Sequence, residues 1–591
     1  MEERLRGYIN SALKDFGSTD VAFVVERPAD MGHGDYATNV AMAAFAKYRS
    51  ETAGQIGVKA NSVAPELLVG DKKITNPRAF AEEVKSKLDA LNDPDITAVE
   101  IAGPGFINIR CSKDFYIREL GDALKKGETF GNNDTLKGKK VIVEYTDPNP
   151  FKEFHIGHLM SNAVGESISR LIEASGAETK RACYQGDVGL HVAHAVAKEM
   201  ENIRLDSPVQ EIWVGGIQST ATAYVLAMNY AKTNEEFANY VKEINQRIYD
   251  RKDENVNKVY DLGRKISLDY FEKIYKRLNT KFDFKFFESN TGVFGKEVVE
   301  KHPEIFEKSD GAIVYKGDES KGLHTRVFIN KDGLPTYEAK ELGLAKIKYD
   351  TYPYDTSIVI TGNEVNDYFK VLLDAMSKVF PDLAAKTEHY SHGMLRLPTG
   401  KMSSRTGDVI TAESMINETK ERAMGKITAE NFSVEEKDDI SEKVAIGAIK
   451  YSILRQAAGK DIIFDFEQSL SFEGDSGPYL QYAHARTRSL LAKAEGRTIN
   501  PAVMVGEEIR PLHKYILRFP EIILRAQIER EPHYVTNYLV ELAREFSAFY
   551  GNTQVLDGSP DEPYKLALVE MTSHILKHGL WLLGIMAPEK M

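Results

Sequence analysis

The sequence predicts a multidomain α/β protein built on a doubly wound parallel sheet, with an α+β domain before the sheet and an all-α helical bundle after it. The β-branched run Val141–Val143 predicts a buried strand, and apolar residues follow it at helical spacing from Leu159 to Ile172. A second strand, which begins at Thr179, ends at Gly186. Strand, helix and strand at this spacing are typical of a βαβ unit in a Rossmann-like sheet.

The length of 591 residues exceeds what a single hydrophobic core can organise. We predict an N-terminal α+β domain at 1–114, the sheet domain at 115–420, a helical connection at 421–475 and the helical bundle at 476–591. Within the sheet domain, the stretch at about 195–330 is rich in Glu, Lys and Asn at helical spacing, and we interpret it as an insertion.

The remaining elements follow from local patterns. In the N-terminal domain, Gly103–Gly105 predicts a turn before the alternating strand Phe106–Arg110. In the sheet domain, Ser357–Thr361 predicts another buried strand. In the C-terminal bundle, aromatic and apolar residues between Tyr538 and Tyr550 recur at helical intervals, and we interpret this stripe as core.

Composition excludes several classes of protein. Apolar residues make up 42% and charged residues 28%, and there is no uninterrupted apolar run of about 18 residues. The N-terminus predicts a charged amphipathic helix and not a signal peptide, so we expect a cytoplasmic protein with no membrane partner. With only two cysteines, Cys111 and Cys183, and no HExxH pattern, neither a disulfide framework nor a protein-ligated metal is expected.

The net charge of −12 argues at first against a polyanionic partner. The charge is unevenly distributed, however. Residues 476–591 contain 13 Lys and Arg, 13 Asp and Glu, and five of the 14 histidines. This neutral C-terminal range is compatible with RNA binding through a local face.

The stretch Asp147–His158, DPNPFKEFHIGH, joins the first predicted strand to the first predicted helix of the sheet domain. A helix start after a strand can bind an anion, because its first backbone N–H groups are unpaired and the helix dipole favours negative charge. Gly157 permits close approach of a nucleotide, and His155 and His158 can donate hydrogen bonds to phosphate oxygens. Taken alone, the pattern fits two surface histidines at a helix start equally well.

A second motif, GKMSSRTG at Gly400–Gly407, predicts a loop with two cations and two hydroxyls. Lys401 and Arg405 with Ser403 and Ser404 suit a triphosphate whose charge must be neutralised in a transition state. Alone, the loop is better explained as an exposed polar turn. Together with the histidine motif on the same sheet, the phosphate-binding interpretation is favoured.

These two motifs resemble the HIGH and KMSKS signatures of the class I aminoacyl-tRNA synthetases. Further segments resemble the arginyl-tRNA synthetase family, in order and over nearly the whole chain: GPGFIN from Gly103, EYTDPNPFKEFHIGH from Glu144, SGPYLQYAHARTRSLL from Ser476 and FSAFYGNTQVL from Phe546. The resemblance implies ATP-dependent attachment of L-arginine to its tRNA through an arginyl-adenylate, with release of pyrophosphate and AMP. It also implies that the activation step requires tRNA.

The resemblance assigns site residues to three substrates. For ATP, with its accompanying Mg²⁺, it implies His155, His158 and Lys401 as catalytic residues and Lys152, Gly157, Gly362, Glu364, Ser403 and Ser404 as contacts. For arginine it implies Glu144, Asn149, Tyr337 and Glu341, whose polar groups suit a planar guanidinium. For tRNA it implies Phe106 and Asn108 at the D-loop, and Tyr479, Gln481, Tyr482 and His484 at the anticodon.

Three positions depart from the family pattern. Glu341 stands where aspartate is more common, and Val365 stands where relatives often carry glutamine, an amide contact to arginine. Ser404 stands where the second lysine of the KMSKS pattern would be.

Three other functions stay open at this point. A class I lysyl-tRNA synthetase would also need acidic pocket residues, and the departures at Glu341 and Val365 leave room for an inactive paralogue that binds tRNA. A metabolic nucleotidyltransferase would use the histidine motif but would not need a C-terminal domain of helices. For the arginyl-tRNA synthetase-like function that the resemblance implies, we expect a monomer.

Overall fold

The structure, a computed structural model, describes residues 1–16, 20–28, 30–56, 67–69, 72–202, 208, 211–398, 410–427, 432–506 and 508–591. The chain divides into two compact units. Unit 1 contains Met1–Lys126, Gly496–Arg518 and Gln554–Leu568, and unit 2 contains Gly127–Glu495, Phe519–Thr553 and Val569–Met591. The predicted combination of an α+β domain, a parallel-sheet domain and a helical region is confirmed.

Unit 1 is an α+β fold on an antiparallel sheet. Its elements are α1 (Glu2–Asp15), β1 (Val25–Glu26), β2 (Tyr36–Thr38), α2 (Val40–Ile56), β3 (Leu67–Val69), β4 (Lys72–Ile74), α3 (Pro77–Ala90), β5 (Ile96–Ala102), β6 (Phe106–Cys111), α4 (Lys113–Lys126) and, later in the chain, the helix Pro511–Ile516. Four strands form one sheet in the order β1-β2-β6-β5, and β3 pairs with β4. The predicted strand at Phe106–Arg110 is β6, one of the two inner strands.

Unit 2 begins with the parallel sheet and its helices. Their bounds are β7 (Lys140–Glu144), α5 (Ile156–Ala174), β8 (Glu178–Gln185), α6 (Leu190–Asn202), α7 (Ile217–Ala231), α8 (Glu235–Asp250), α9 (Glu254–Arg277), β9 (Phe284–Phe287), α10 (Glu288–Lys301), β10 (Glu307–Ser309), β11 (Ala312–Tyr315), β12 (Arg326–Ile329), α11 (Tyr337–Thr351), β13 (Thr356–Gly362), α12 (Asn366–Val379), α13 (Pro381–Ala385), β14 (Thr387–His392) and β15 (Leu395–Arg396).

The main sheet has the strand order β14-β13-β7-β8-β9, and every pair in it is parallel. The central strand β7 is apolar because both of its faces are covered: Ile142 and Val143 are fully buried. From β7 the chain first builds outward through β8 to β9 and then returns to add β13 and β14 on the other side. The strand order therefore reverses between β7 and β13, which is the position where doubly wound sheets bind ligands.

The edge strand β9 lies inside the range 195–330 that we predicted to be an insertion, so the sheet continues through part of that range. The sequence FKFF gave no clear signal, because four residues with one lysine are too short for a period to be recognised. The helices α6–α9 between β8 and β9 share a core of their own, which includes Trp213, Phe237 and Ile244.

The rest of unit 2 is largely helical. It contains α14 (Ala412–Lys426), α15 (Val434–Leu454), the short strand β16 (Ile462–Ile463), α16 (Phe466–Ser469), α17 (Gly477–Lys493), α19 (Phe519–Glu529) and α20 (His533–Asn552). The helix Pro511–Ile516 of unit 1 is α18, and the last helix of the described chain is α21 (Glu562–Leu582). On α20 the predicted core stripe is buried at Tyr538, Leu542 and Phe546, but Tyr550 is 41% exposed. None of the helices that the structure describes is long and apolar enough to cross a membrane.

Candidate active site

The loop between β7 and α5 has a strained backbone. Three of its non-glycine residues have positive φ angles: Thr146 at 81°, Asp147 at 45° and Phe151 at 65°. Neighbouring elements hold this conformation, since Ser161 Oγ accepts the Thr146 N–H at 2.9 Å and Asp147 Oδ1 accepts the Tyr184 N–H at 2.7 Å. Strain that is over-determined in this way is typical of a functional loop.

Two histidines close the start of α5. His155 is the N-cap; its Nδ1 accepts the Gly157 N–H, and Nδ1 of His158 accepts the His155 N–H, each at 3.2 Å. The two rings stack with their centroids 3.6 Å apart. Because both Nδ1 atoms are acceptors, each neutral ring carries its proton on Nε2. The pair therefore presents two N–H donors at the positive end of a helix.

The surroundings keep both rings neutral near pH 7. Burial, with a smaller effect of the Lys152 ammonium, lowers the pKa of His155 to about 4. Burial, followed by His155 and Lys152, lowers the pKa of His158 well below its usual value. Burial also lowers the pKa of Lys152, whose Nζ lies 4.7 Å from the ring centroid of Tyr224.

A cavity of about 530 Å³ opens where the strand order reverses. Its lining combines the loop after β7, the start of α5 and the ends of β13 and β14, including Asp147, Thr361 and His392. Five of the predicted ATP residues meet there: His155, Gly157, His158, Gly362 and Glu364. The cavity therefore has the position and the polar groups of a nucleotide site.

Three other predicted ATP residues lie outside the described residues: Lys401, Ser403 and Ser404. The nearest described segments before and after these three residues lie at or beside the same cavity. Arg396 lines the cavity, and Thr411 forms an isolated β-bridge with His155.

An acidic cluster adjoins the cavity at the end of β7; of its three carboxyl groups, that of Glu144 is buried, and those of Asp147 and Glu341 are half-buried. Glu144 Oε2 accepts a hydrogen bond from Lys348 Nζ at 2.8 Å, and both side chains are almost fully buried. Burial, and then the charge of Glu144, raises the pKa of Glu341 and of Asp147 well above the usual values, although Lys348 opposes the shift. One ammonium thus faces three carboxylates, and the local excess of negative charge favours binding of a second cation. Asp147 belongs both to this acidic cluster and to the cavity lining.

Asn149 and Tyr337, the other predicted arginine residues, each lie near one member of the ion pair between Glu288 and Lys340. A Cβ on Gly186 would lie 2.4 Å from Asn149 Oδ1 and 3.1 Å from Glu288 Oε1, so the glycine makes room for both side chains. Glu288 pairs with Lys340 at 2.5 Å, and the Lys340 ammonium lies 5.3 Å from the ring centroid of Tyr337, which is 59% exposed. The five residues Asn149, Gly186, Glu288, Tyr337 and Lys340 are not among the described residues that line the cavity.

The two predicted tRNA residues of unit 1 differ in exposure. Phe106 is 42% exposed at the start of β6. Asn108 is only 7% exposed, because it lies between Ala37 and Glu100 of the two flanking strands. Phe106 can offer its ring to an RNA base, whereas Asn108 has little surface to offer.

Two predicted tRNA residues on α17 need a correction. The Gln481 side chain is fully buried, and its Nε2 donates to the carbonyl oxygens of Lys443 at 3.0 Å and Met586 at 2.8 Å. His484 is fully buried as well, with Nδ1 2.9 Å from the carbonyl oxygen of Pro588. Both side chains attach α17 to neighbouring segments and have no surface for an RNA contact.

The two tyrosines of α17 have more surface. Tyr482 is 36% exposed, and the guanidinium of Arg486 lies 4.7 Å from its ring centroid. Tyr479 is half-buried, with its hydroxyl 3.4 Å from Ser547 Oγ. Tyr482 and Tyr479 therefore stay candidates for contact with RNA.

Reasoning from the sequence did not assign a role to Asp147 or to Lys348. Asp147 had a local signal, since it is an acidic residue directly after a buried strand and opens the histidine motif. Lys348 had none, because its partner Glu144 is 204 positions away.

Comparison with protein families gives three matches. The family "tRNA synthetases class I (R), catalytic domain" matches residues 119–466. The "DALR anticodon binding domain" matches residues 480–591, and the "Arginyl tRNA synthetase N terminal domain" matches residues 3–111.

Individual relatives agree with these matches. An arginine–tRNA ligase of Treponema denticola is 31% identical over 539 residues, which is 86% of this chain and 88% of the relative. One of Clostridium acetobutylicum is 30% identical over 530 residues, which is 87% of this chain and 91% of the relative. The arginyl-tRNA synthetase structure of Thermus thermophilus has a TM-score of 0.76 at 23% identity and covers 100% of both chains, and that of Plasmodium falciparum has a TM-score of 0.77 at 21% identity, covering 100% and 99%. At such identities the two structures show a shared fold.

Proposed function

This chain belongs to the class I arginyl-tRNA synthetase family, and from that premise we propose how its residues attach arginine to tRNA with ATP. The reaction has two steps. The carboxylate of arginine attacks the α-phosphorus of ATP and displaces pyrophosphate, which gives arginyl-adenylate. A ribose hydroxyl at the end of the tRNA then attacks the arginyl carbonyl and displaces AMP.

One observation carries the proposal: a nucleotide-sized crevice and an acidic cluster meet at Asp147. The crevice has phosphate-binding donors, and the cluster has uncompensated carboxylates. This arrangement brings a triphosphate and a cationic amino acid into adjacent positions, as the first step requires.

For the phosphates, His155 and His158 donate from Nε2 to oxygens that gain negative charge as pyrophosphate leaves. Both rings act as neutral donors, and the start of α5 adds its unpaired N–H groups. No side-chain nucleophile is needed, because the substrate's own carboxylate attacks. At the other wall, the Glu364 carboxylate folds over Gly362, where a Cβ would lie 2.1 Å from Oε2, and both residues can meet the nucleoside.

We assign Lys401, Ser403 and Ser404 to the same phosphates, because the described residues on both sides of them reach the cavity. Mg²⁺ would accompany ATP, whose phosphate oxygens are ligands that it prefers. When bound, the ion neutralises phosphate charge.

For arginine, Glu144, Asp147 and Glu341 supply carboxylates, and Asn149 and Tyr337 supply an amide oxygen and a ring. A guanidinium has five N–H donors in one plane, so a pocket with several acceptors selects it over the three-donor ammonium of lysine. For tRNA, Phe106, Tyr479 and Tyr482 are the candidates with accessible rings. We also predict a monomer in the cytoplasm, which sedimentation velocity and cell fractionation would test.

The decisive experiment is aminoacylation of purified tRNA with each radiolabelled amino acid, in the presence of ATP and Mg²⁺. We expect charging with arginine and none with lysine. Pyrophosphate exchange should require tRNA, and His158→Ala should reduce its rate by about 10²- to 10³-fold, which is the effect of losing one transition-state donor. Efficient lysylation without arginylation, or an unchanged rate in the His158 variant, would refute the assignment.

A further inference from the structure

Lys152 occupies an unusual position for a cation in the site. It is half-buried in the loop that leads into α5, three positions before the N-cap His155, and its charge contributes to the lowered pKa of both histidines. Among the residues that the structure describes, no carboxylate oxygen lies within 4.0 Å of its Nζ; the contact that the structure gives it is the ring of Tyr224 at 4.7 Å. A cation over the face of a tyrosine within about 6 Å is attracted by the ring electrons.

Tyr224 belongs to α7, one of the helices between β8 and β9 whose purpose the sequence did not reveal. Its ring packs against the core that α6–α9 share, and it lies nearly perpendicular to the His194 ring, with the centroids 6.4 Å apart. The ring is therefore fixed by its own helix and its neighbours rather than by the phosphate loop. A fixed ring can hold the end of a long, flexible lysine side chain in one place.

The residue before Lys152 attaches the loop to the same helices. Phe151 is fully buried in the core of α6–α9, where its ring stacks on Tyr260 at 6.1 Å and meets Trp213 edge-on at 5.9 Å. Its N–H donates to Ser267 Oγ of α9 at 2.9 Å. The backbone of residue 151 and the side chain of residue 152 are thus both held by the helices between β8 and β9.

We infer that Tyr224 is a positioning residue for the ATP reaction: its ring holds the Lys152 ammonium beside His155 and His158, ready for the triphosphate. The purpose of α7 in the active site is then to supply this ring. A charge without a counterion is free to pair with phosphate, and an aromatic face holds it without neutralising it as a carboxylate would. This inference rests on the proposed function, because it concerns the same phosphates.

The test compares Tyr224→Leu, which removes the aromatic face, with Tyr224→Phe, which retains it and removes the hydroxyl. Steady-state tRNA-dependent pyrophosphate exchange gives the KM for ATP, the KM for arginine and kcat. We expect Tyr224→Leu to lower kcat/KM for ATP by about 3- to 30-fold, on the scale of a cation–π contact, and Tyr224→Phe to stay within about twofold of the wild type. The matched control is Tyr230→Leu on the same helix, where the ring packs against Phe237 and not against Lys152.

A double-mutant cycle separates positioning from general damage to the fold. In a Lys152→Met background, Tyr224→Leu should have no further effect on ATP kinetics, because the cation that the ring holds is absent. The inference would be overturned if Tyr224→Leu caused equal losses in both backgrounds, or if Tyr224→Phe caused a loss as large as Tyr224→Leu. It would also be overturned if Tyr224→Leu increased the affinity for ATP or changed only the KM for arginine. If the wild-type protein did not charge tRNA with arginine at all, the proposed function would fail first.

Discussion

At the scale of single residues, protonation states follow from burial and from neighbouring charges. His155 has a folded-state pKa of about 4, below the ordinary value of 6.5, since burial and Lys152 disfavour the charged ring. Between about pH 4 and pH 6.5, His155 is protonated in the unfolded chain but neutral in the folded chain. The contribution of the neutral ring to stability is therefore complete above pH 6.5 and is lost as the pH falls towards 4.

We expect ¹⁵N NMR of the substrate-free enzyme to show His155 neutral from pH 7 down to about pH 5, with the proton on Nε2. A histidine-containing model peptide, whose pKa is near 6.5, serves as the reference. A His155 pKa above 6, or a proton on Nδ1, would contradict the donor geometry described for α5.

Arginine binding should release protons. Burial and the charge of Glu144 raise the pKa of Asp147 and Glu341 above the usual values, so in the empty site these carboxyls bind protons to a higher pH than free carboxyls do. A guanidinium beside them stabilises the charged form and lowers both pKa values. Titration calorimetry in buffers of different ionisation enthalpy should reveal a net release of protons when arginine binds. The Glu341→Gln variant should release fewer protons than the wild type when arginine binds. A binding enthalpy of the wild type that is the same in every buffer would contradict the mechanism.

The sequence could identify residues whose signal is local. His155, Gly157 and His158 lie within four positions, and the structure places all three in one cavity. It could not identify contacts that arise only when distant segments meet, such as that of Glu144 with Lys348 or of Lys152 with Tyr224. It could not tell the buried face of α17 from its exposed face either, which is why Gln481 was assigned to tRNA.

At the scale of elements, α10 and α11 are packed backbone to backbone through two glycines. A Cβ on Gly343 would lie 2.1 Å from the carbonyl oxygen of Thr291, and a Cβ on Gly295 would lie 1.8 Å from that of Ala339. Because α11 carries Glu341 and α10 begins at Glu288, this close packing sets the positions of acidic groups around the proposed arginine pocket.

Gly343→Ala should therefore push the two helices apart. We expect a loss of about 1–3 kcal/mol in unfolding free energy, the cost of an overpacked contact, together with a raised KM for arginine. Urea denaturation and arginine kinetics would measure the two effects. The control is Gly425→Ala on α14, where nothing lies within 4 Å of the added Cβ and the substitution should be neutral or stabilising. Equal behaviour of the two variants would contradict the packing argument.

Among the elements, those with a clear period were predictable. The strand at Val141–Val143 and the helix after it are β7 and α5, because a β-branched run and a helical period are local properties. The strand order was not predictable, since the pairing of β7 with β13 joins residues more than 200 positions apart. The short strand β9 was missed because its burial comes from the sheet beside it and not from its own four residues.

At the scale of the whole molecule, unit 1 is assembled from distant parts of the chain. Lys514 Nζ donates to Asp35 Oδ1 at 2.7 Å, and the other carboxylate oxygen of Asp35 accepts the Cys111 N–H at 2.7 Å. Nearby, His513 Nε2 lies 3.1 Å from the carbonyl oxygen of Tyr116. These buried polar contacts attach residues 496–518 to the N-terminal sheet.

Lys514→Met should leave the Asp35 carboxylate buried without its cation. We expect a local destabilisation of about 1.5–3 kcal/mol, the range for a hydrogen bond to a charged group. Hydrogen exchange followed by mass spectrometry should show faster exchange in residues 1–126 and 496–518. Lys577→Met, which removes the exposed pair of Lys577 with Glu128 in unit 2, should cost at most about 1 kcal/mol. Faster exchange spread over both units would contradict a local role for the pair.

The composite make-up of unit 1 also has a consequence for synthesis. Gly496 leaves the ribosome 370 positions after Lys126, which takes on the order of 20 to 70 seconds at ordinary elongation rates. During that time the surface around Asp35 and Tyr116 lacks the segment 496–518 that contacts it in the folded protein, so we expect the nascent N-terminal sheet to be incompletely protected. Protease digestion of ribosome-arrested chains should show protection of residues 1–126 increasing only after residue 518 has emerged.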